Sequence, residues 1–131
     1  MAAPESRSLE LELPAVPQSV PRARRAVVGV LDGLDVDLWP VGVVVSEAVT
    51  NVVLHAYRDG EPGRVRVKVS MEAELLTLVV ADDGIGMSPN PDSPGLGVGL
   101  VLIERLVEHM EIHSAGGTRL VVRLQLLAEA A

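Results

Sequence analysis

Glu47, Asn51 and His55 recur at a spacing of four in the stretch Ser46-Glu-Ala-Val-Thr-Asn-Val-Val-Leu-His-Ala-Tyr57. On a helix, residues four apart share a face and stack one turn above another. The spacing therefore predicts a narrow polar seam within an apolar surround of Val43, Val44, Ala48, Val49, Val52 and Val53, flanked by Ser46 and Thr50. A carboxylate on such a seam can take a proton from a hydroxyl, and an amide carbonyl is a hard oxygen ligand suited to Mg²⁺. A site that handles phosphate groups needs both. An ordinary solvated helix face carries the same pair at little cost, so Glu-x-x-x-Asn alone decides nothing.

Two glycine-bearing segments add further chemistry. Asp82-Asp-Gly-Ile-Gly86 directly follows an apolar strand, where a short acidic side chain can accept hydrogen bonds from a ligand amine. Gly84 and Gly86 let the backbone come close to such a ligand, although a tight turn ending a strand uses the same residues. Gly95-Leu-Gly-Val-Gly-Leu100 opens a predicted helix, and free N–H groups at a helix start can hold phosphate oxygens. Its Gly-x-Gly-x-Gly spacing, with no strand running directly into it, is not a dinucleotide fingerprint, and no Gly-Lys-Ser/Thr of a P-loop occurs. A flexible linker or helix cap is the alternative reading of these three glycines.

The elements that must position these residues follow from periodicity. Ser8-Leu-Glu-Leu-Glu-Leu13 alternates with period two and stops at Pro14 and Pro17, which predicts a half-buried strand. Val20, Ala23, Val27, Val30, Leu31 and Leu34 recur at three and four, which predicts an amphipathic helix from Ser19 to Leu34. A second helix is expected from about Leu38 to Tyr57, carrying the polar seam. Val65–Val69 and Leu76–Val80 read as neighbouring strands. A Pro-bearing loop precedes a helix from about Gly97 to His109, and strands near Met110–His113 and Arg119–Leu126 finish the chain. The order strand, helix, helix, strands, helix, strands fits an α+β two-layer sandwich, with a mostly antiparallel mixed sheet covered on one face by about three helices.

Composition excludes several function classes. The 131 residues fit one domain, residues 1–131 with a core over about 8–126, and the 48% hydrophobic share lacks Phe, so the core is built from Val, Leu, Ile and Ala. One Trp, one Tyr and a net charge of -7 give neither stacking platforms nor attraction for a phosphate backbone, and nucleic acid is not an expected partner. Arg22, Arg24 and Arg25 form too small a cluster to reverse that balance. Without cysteine there is no thiolate metal site, and the opening MAAPESRSLELEL has no apolar signal core. The apolar runs are short of a bilayer span, so no membrane partner is expected and the cytoplasm is the default compartment.

Taken in order, Glu47-x-x-x-Asn51, Asp82-x-Gly-x-Gly86, Gly95-x-Gly-x-Gly99-Leu100 and Gly116-Gly-Thr118 resemble the ATP-binding boxes of the gyrase, Hsp90, histidine kinase and MutL superfamily. Within it, Ser46-Glu-Ala-Val-Thr-Asn51 with His55-Ala-Tyr57 is most similar to the anti-sigma-factor serine/threonine kinases of bacterial sporulation and general stress response. The resemblance implies a Bergerat-type sandwich that binds ATP and Mg²⁺, with Asn51 as metal ligand, Glu47 as general base and Asp82 on the adenine amine. It implies further nucleotide contacts from Gly84, Gly86, Met87, Gly95, Gly97, Val98, Gly99, Leu100 and Thr118. His55 either reaches the lid or phosphates or only caps and packs.

Phosphoryl transfer relies on positioning, charge neutralisation and an oriented nucleophile. The chain has no room for the helical domain that carries the acceptor imidazole of histidine autokinases, nor for the transducer of the gyrase-like ATPases. A partner's Ser or Thr hydroxyl is the expected acceptor. The resemblance implies a homodimer that binds a sigma factor and phosphorylates a STAS-type anti-anti-sigma protein. The lid from Met87 to Pro94 holds no Lys or Arg, so phosphate contacts fall to backbone N–H groups and Mg²⁺, and turnover should be slow. The alternative is a nucleotide-gated module that sequesters its partner without significant kinase activity.

Overall fold

The computed structural model describes residues 6–58, 61–85 and 96–126. Strand β1 (Ser6–Pro14) turns Leu9, Leu11 and Leu13 inward and Glu10 and Glu12 outward. Strand β2 (Arg64–Glu72) repeats the pattern, with Val65, Val67, Val69 and Met71 buried while Arg66 and Lys68 are exposed. With β3 (Leu75–Asp82), β4 (His109–His113) and β5 (Thr118–Gln125) they make a five-stranded sheet in the order β1-β2-β3-β5-β4, every neighbouring pair antiparallel. The period of two sorts each strand into one buried and one solvated face.

Three helices cover the buried face. Helix α1 (Ser19–Val30) brings Ala23 and Val27, α2 (Trp39–Asn51) brings Val41, Val44, Val45, Ala48 and Val49, and α3 (Leu96–Leu106) brings Ile103. They meet Val67, Leu78, Val80, Leu120, Val122 and their neighbours in an aliphatic core. Each fully buried Val or Leu contributes roughly 1.5–3 kcal/mol. A surface ion pair such as Arg64–Glu12, half exposed on both sides, contributes about 0–1 kcal/mol. Core burial therefore holds the sandwich together, and the ion pairs trim its outer face.

Three expected boundaries move. Helix α1 ends at Val30 and not Leu34, because the chain turns through Gly33 at φ +87°, a conformation only glycine adopts without strain. Helix α3 stops at Leu106 and not His109, since His109 pairs with Arg123 as the first residue of β4. The expected helix from Leu38 to Tyr57 divides into α2 and a π-helical turn, Val52–Ala56, that continues it with one extra residue per turn. The joined stretch Trp39–Ala56, 18 residues at mean hydropathy 1.2, is long and apolar enough to cross a membrane. Half of it is buried inside this domain, as befits a central core helix.

Candidate functional site

Glu47 and Asn51 sit on consecutive turns of α2 and face the first turns of α3. Gly99 of α3 is what lets the two helices approach there. A Cβ added to Gly99 would lie 2.9 Å from Glu47 Oε2 and 3.4 Å from Asn51 Oδ1, so the carboxylate and the amide converge on one spot. Glu47 is half-buried and Asn51 is buried. The Asn51 Nδ2 is sealed from solvent and has no hydrogen-bond partner among the described residues. Leaving such a group unpaired costs about 1–3 kcal/mol, which a well-packed aliphatic helix would avoid by placing Val or Leu there.

A second cluster forms where β3 ends. Asp82 is 5% exposed and pairs across the sheet with Thr118, itself buried. Its Oδ1 accepts the Gly84 N–H at 2.8 Å. Burial raises the carboxyl above the ordinary carboxylate range, opposed by hydrogen bonds from the backbone N–H groups of Gly84 and Thr118. Gly117, at φ +118°, brings the start of β5 against this turn; a Cβ there would stand 2.1 Å from the Asp82 carbonyl oxygen. The result is a buried carboxylate with hydrogen-bonding capacity left for a ligand amine.

The π-helical turn that follows α2 joins the two clusters. The Ala56 carbonyl, last in the π-helical turn, accepts the Ile85 N–H at 2.8 Å, and Gly84 lies so close that a Cβ would meet that same oxygen at 1.9 Å. Tyr57 Oη accepts the Asp83 N–H at 3.0 Å and donates to the Arg64 carbonyl at 2.6 Å. Arg66 closes a two-pronged ion pair on Asp83, which holds that carboxylate below its ordinary range. A groove of about 790 Å³ between α1 and α2 runs from the largely exposed Trp39, past Arg24 and Arg25, to Ser46 and Glu47.

Of the residues expected from sequence, the structure thus brings Glu47, Asn51 and Gly99 together, and separately Asp82, Gly84 and Thr118. His55 is half-buried on the π-helical turn. The regular α-helix expected to carry all three residues thus ends at Asn51, and His55 follows on the π-helical turn. Leu100 is half-buried and packs against the core. Gly97 and Val98 belong to the first turn of α3, while Gly86, Met87 and Gly95 lie outside the described residues, as does the expected lid. Tyr57 and Gly117 contribute beyond the residues expected from sequence. The Gly116-Gly-Thr118 spacing pointed to Gly117, but the Tyr57 hydroxyl acts on a backbone 26 residues away.

Comparison with known proteins gives a consistent result. Residues 13–126 match the family model described as histidine kinase-like ATPase domain. The chain is 31% identical to an anti-sigma F factor of Clostridium novyi (strain NT), covering 90% of this chain and 94% of that one. It is 27% identical to the anti-sigma F factor of Bacillus subtilis (strain 168), covering 88% and 89% respectively. Among solved structures, the crystal structure of the RsbU and RsbW domains of Rv1364c from Mycobacterium tuberculosis superposes with a TM-score of 0.71 at 22% identity. That match takes in 91% of this chain and 32% of that longer one, and shows a shared fold.

Proposed function

The chain belongs to the histidine kinase-like ATPase domain family, alongside the anti-sigma F factors, and from that premise we propose that it is a Mg-ATP-dependent serine/threonine protein kinase acting as an anti-sigma factor. Its substrate is a STAS-type anti-anti-sigma protein, its regulatory target a sigma factor, its working form a homodimer and its compartment the cytoplasm. The observation that carries this reading is the convergence of Glu47 and the buried Asn51, whose Nδ2 has no partner among the described residues, on Gly99 of α3.

The residues fit a magnesium nucleotide. Asn51 supplies a hard amide oxygen, and Asp82 supplies a buried acceptor for the adenine amine. When bound, the metal ion neutralises phosphate charge and orients the transferring group. Glu47 takes the proton from the acceptor hydroxyl, which the half-buried carboxylate beside Gly99 is placed to do. Gly99 keeps the space in front of that carboxylate open, and Gly84 and Gly117 let the base-binding turn fold tightly. The groove ending on Ser46 and Glu47 favours an acceptor presented by a partner protein over a water molecule, since it offers cationic and aromatic surface leading to the base.

Phosphate incorporation into candidate STAS-type proteins, followed by mass spectrometry for phosphoserine, tests the reading. Glu47→Ala should lower transfer at least a hundredfold while ADP affinity stays within about threefold of wild type. Normal transfer by that variant removes Glu47 from the chemistry. Pull-down of a sigma factor with ATP, ADP or no nucleotide, scored in the same samples, separates kinase action from nucleotide-gated sequestration.

A further inference from the structure

We infer that Tyr57 is the positioning residue that sets the base-recognition turn, Asp82–Ile85, against the metal- and phosphate-facing seam of α2. The inference deepens the nucleotide reading above and rests on it. Tyr57 follows the π-helical turn that starts one residue after Asn51, so the path from metal ligand to Tyr57 is short and entirely hydrogen-bonded helix. Its hydroxyl bridges two backbones: it accepts from Asp83 N–H at 3.0 Å and donates to Arg64 C=O at 2.6 Å. The ring is seated against Gly63, where a Cβ would come within 2.4 Å of ring carbons, so only glycine leaves room for it.

These contacts fix Asp83 from two directions, with Tyr57 on its amide and Arg66 on its carboxylate at 2.8 and 3.1 Å. One residue earlier, Asp82 is locked between β2 and β5 by its pairings with Val65 and Thr118. Two residues later, Ile85 N–H is held by the Ala56 carbonyl. The turn that presents the Asp82 carboxylate therefore hangs on the end of the π-helical turn at successive residues, Ala56 and Tyr57. The π-helical turn ends at Ala56, and Tyr57 leaves it in extended conformation, so the Ala56 carbonyl and the Tyr57 hydroxyl reach this turn from adjacent residues. A hydroxyl that spans two backbones across a loop sets distance as well as strength, and small displacements of a recognition carboxylate carry large losses in affinity.

Tyr57→Phe keeps the ring and removes both hydrogen bonds. The expected result, by calorimetric titration, is ADP binding weakened about tenfold together with a several-fold loss of preference for ADP over GDP, because the carboxylate that reads the purine amine is no longer held. A purely structural tyrosine would lower thermal stability and leave the ADP-to-GDP ratio untouched. Unchanged ADP affinity and unchanged base preference in a folded Tyr57→Phe protein overturn the inference. Should that variant not fold, amide exchange of the wild-type protein decides: Asp83 and Ile85 N–H groups are expected to be protected and to slow further with ADP, and exchange of Asp83 at free-chain rate overturns it. Wild-type protein without affinity for ADP overturns the nucleotide reading itself, and this role with it, which tells the two failures apart.

Discussion

Asp82 shows how a single residue can be costly to stability and necessary for binding. Its carboxyl is pushed up by burial first, pulled down by the N–H groups of Gly84 and Thr118, pushed up again by Asp83 and pulled down by Arg66, and the net direction is upward. A raised carboxyl pKa means that the folded state holds a proton the unfolded chain has released. The stability this group lends is complete below the unfolded value of about 3.9 and is lost as pH rises through the folded value. Asp82→Asn, which keeps an acceptor for Gly84 N–H, should therefore gain in thermal midpoint relative to wild type as pH climbs from about 3.9, and hold a constant advantage once Asp82 is ionised. Its ADP affinity should fall at least tenfold. Asp83, held low by its hydrogen bonds and charge pairing with Arg66, has the opposite sign and loses its contribution as pH falls. It is present in both proteins and drops out of the comparison. A variant that becomes relatively less stable with rising pH would mean that the Asp82 carboxylate is favoured in the folded state.

At the scale of elements, the seam depends on how α2 meets α3, and Gly99 is the contact that admits both Glu47 and Asn51. An alanine there gains about 1 kcal/mol of helix propensity but places a methyl 2.9 Å from Glu47 Oε2. The end of a flexible side chain gives way easily, so Gly99→Ala should melt within a few degrees of wild type while phosphoryl transfer drops at least tenfold from a displaced base. Wild-type transfer by Gly99→Ala, measured with the same STAS-type acceptor, would mean that Glu47 need not sit where α3 meets it. Much of this arrangement was legible beforehand. Alternation gave the strands, the three-and-four repeat gave the helices, and glycine spacing gave the turns, because each signal is local. The π-helical turn was not legible, since the apolar series Ala48, Val52, Ala56 runs through it without interruption. Nor was the Tyr57 latch, whose partners Gly63, Arg64 and Asp83 come from other parts of the chain and meet it only in the folded sheet.

For the whole molecule, the question is how an aliphatic sandwich tolerates a buried amide nitrogen with no partner among the described residues. The core of Val, Leu, Ile and Ala side chains is continuous from α1 through the sheet, and Asn51 interrupts it where a valine would fit the helix pattern. The free protein therefore gives up about 1–3 kcal/mol at this position, which a ligand oxygen that accepts from the Nδ2 N–H would offset. Mass action sets the size of that recovery: a ligand at a hundred times its dissociation constant adds about 2.7 kcal/mol, which for a domain of this size raises the melting temperature by roughly 10 °C. Wild-type protein with Mg-ADP should show that rise, and Glu47→Ala should keep it, since base and metal ligand do different work. Asn51→Ala should melt, without nucleotide, within about 1 kcal/mol of wild type, because removal of the orphaned amide offsets the packing lost, and it should lose nearly all of the nucleotide-dependent rise. If that variant instead falls by more than about 2 kcal/mol in the absence of nucleotide and still responds to Mg-ADP, Asn51 supports the fold, and the metal-ligand assignment moves elsewhere.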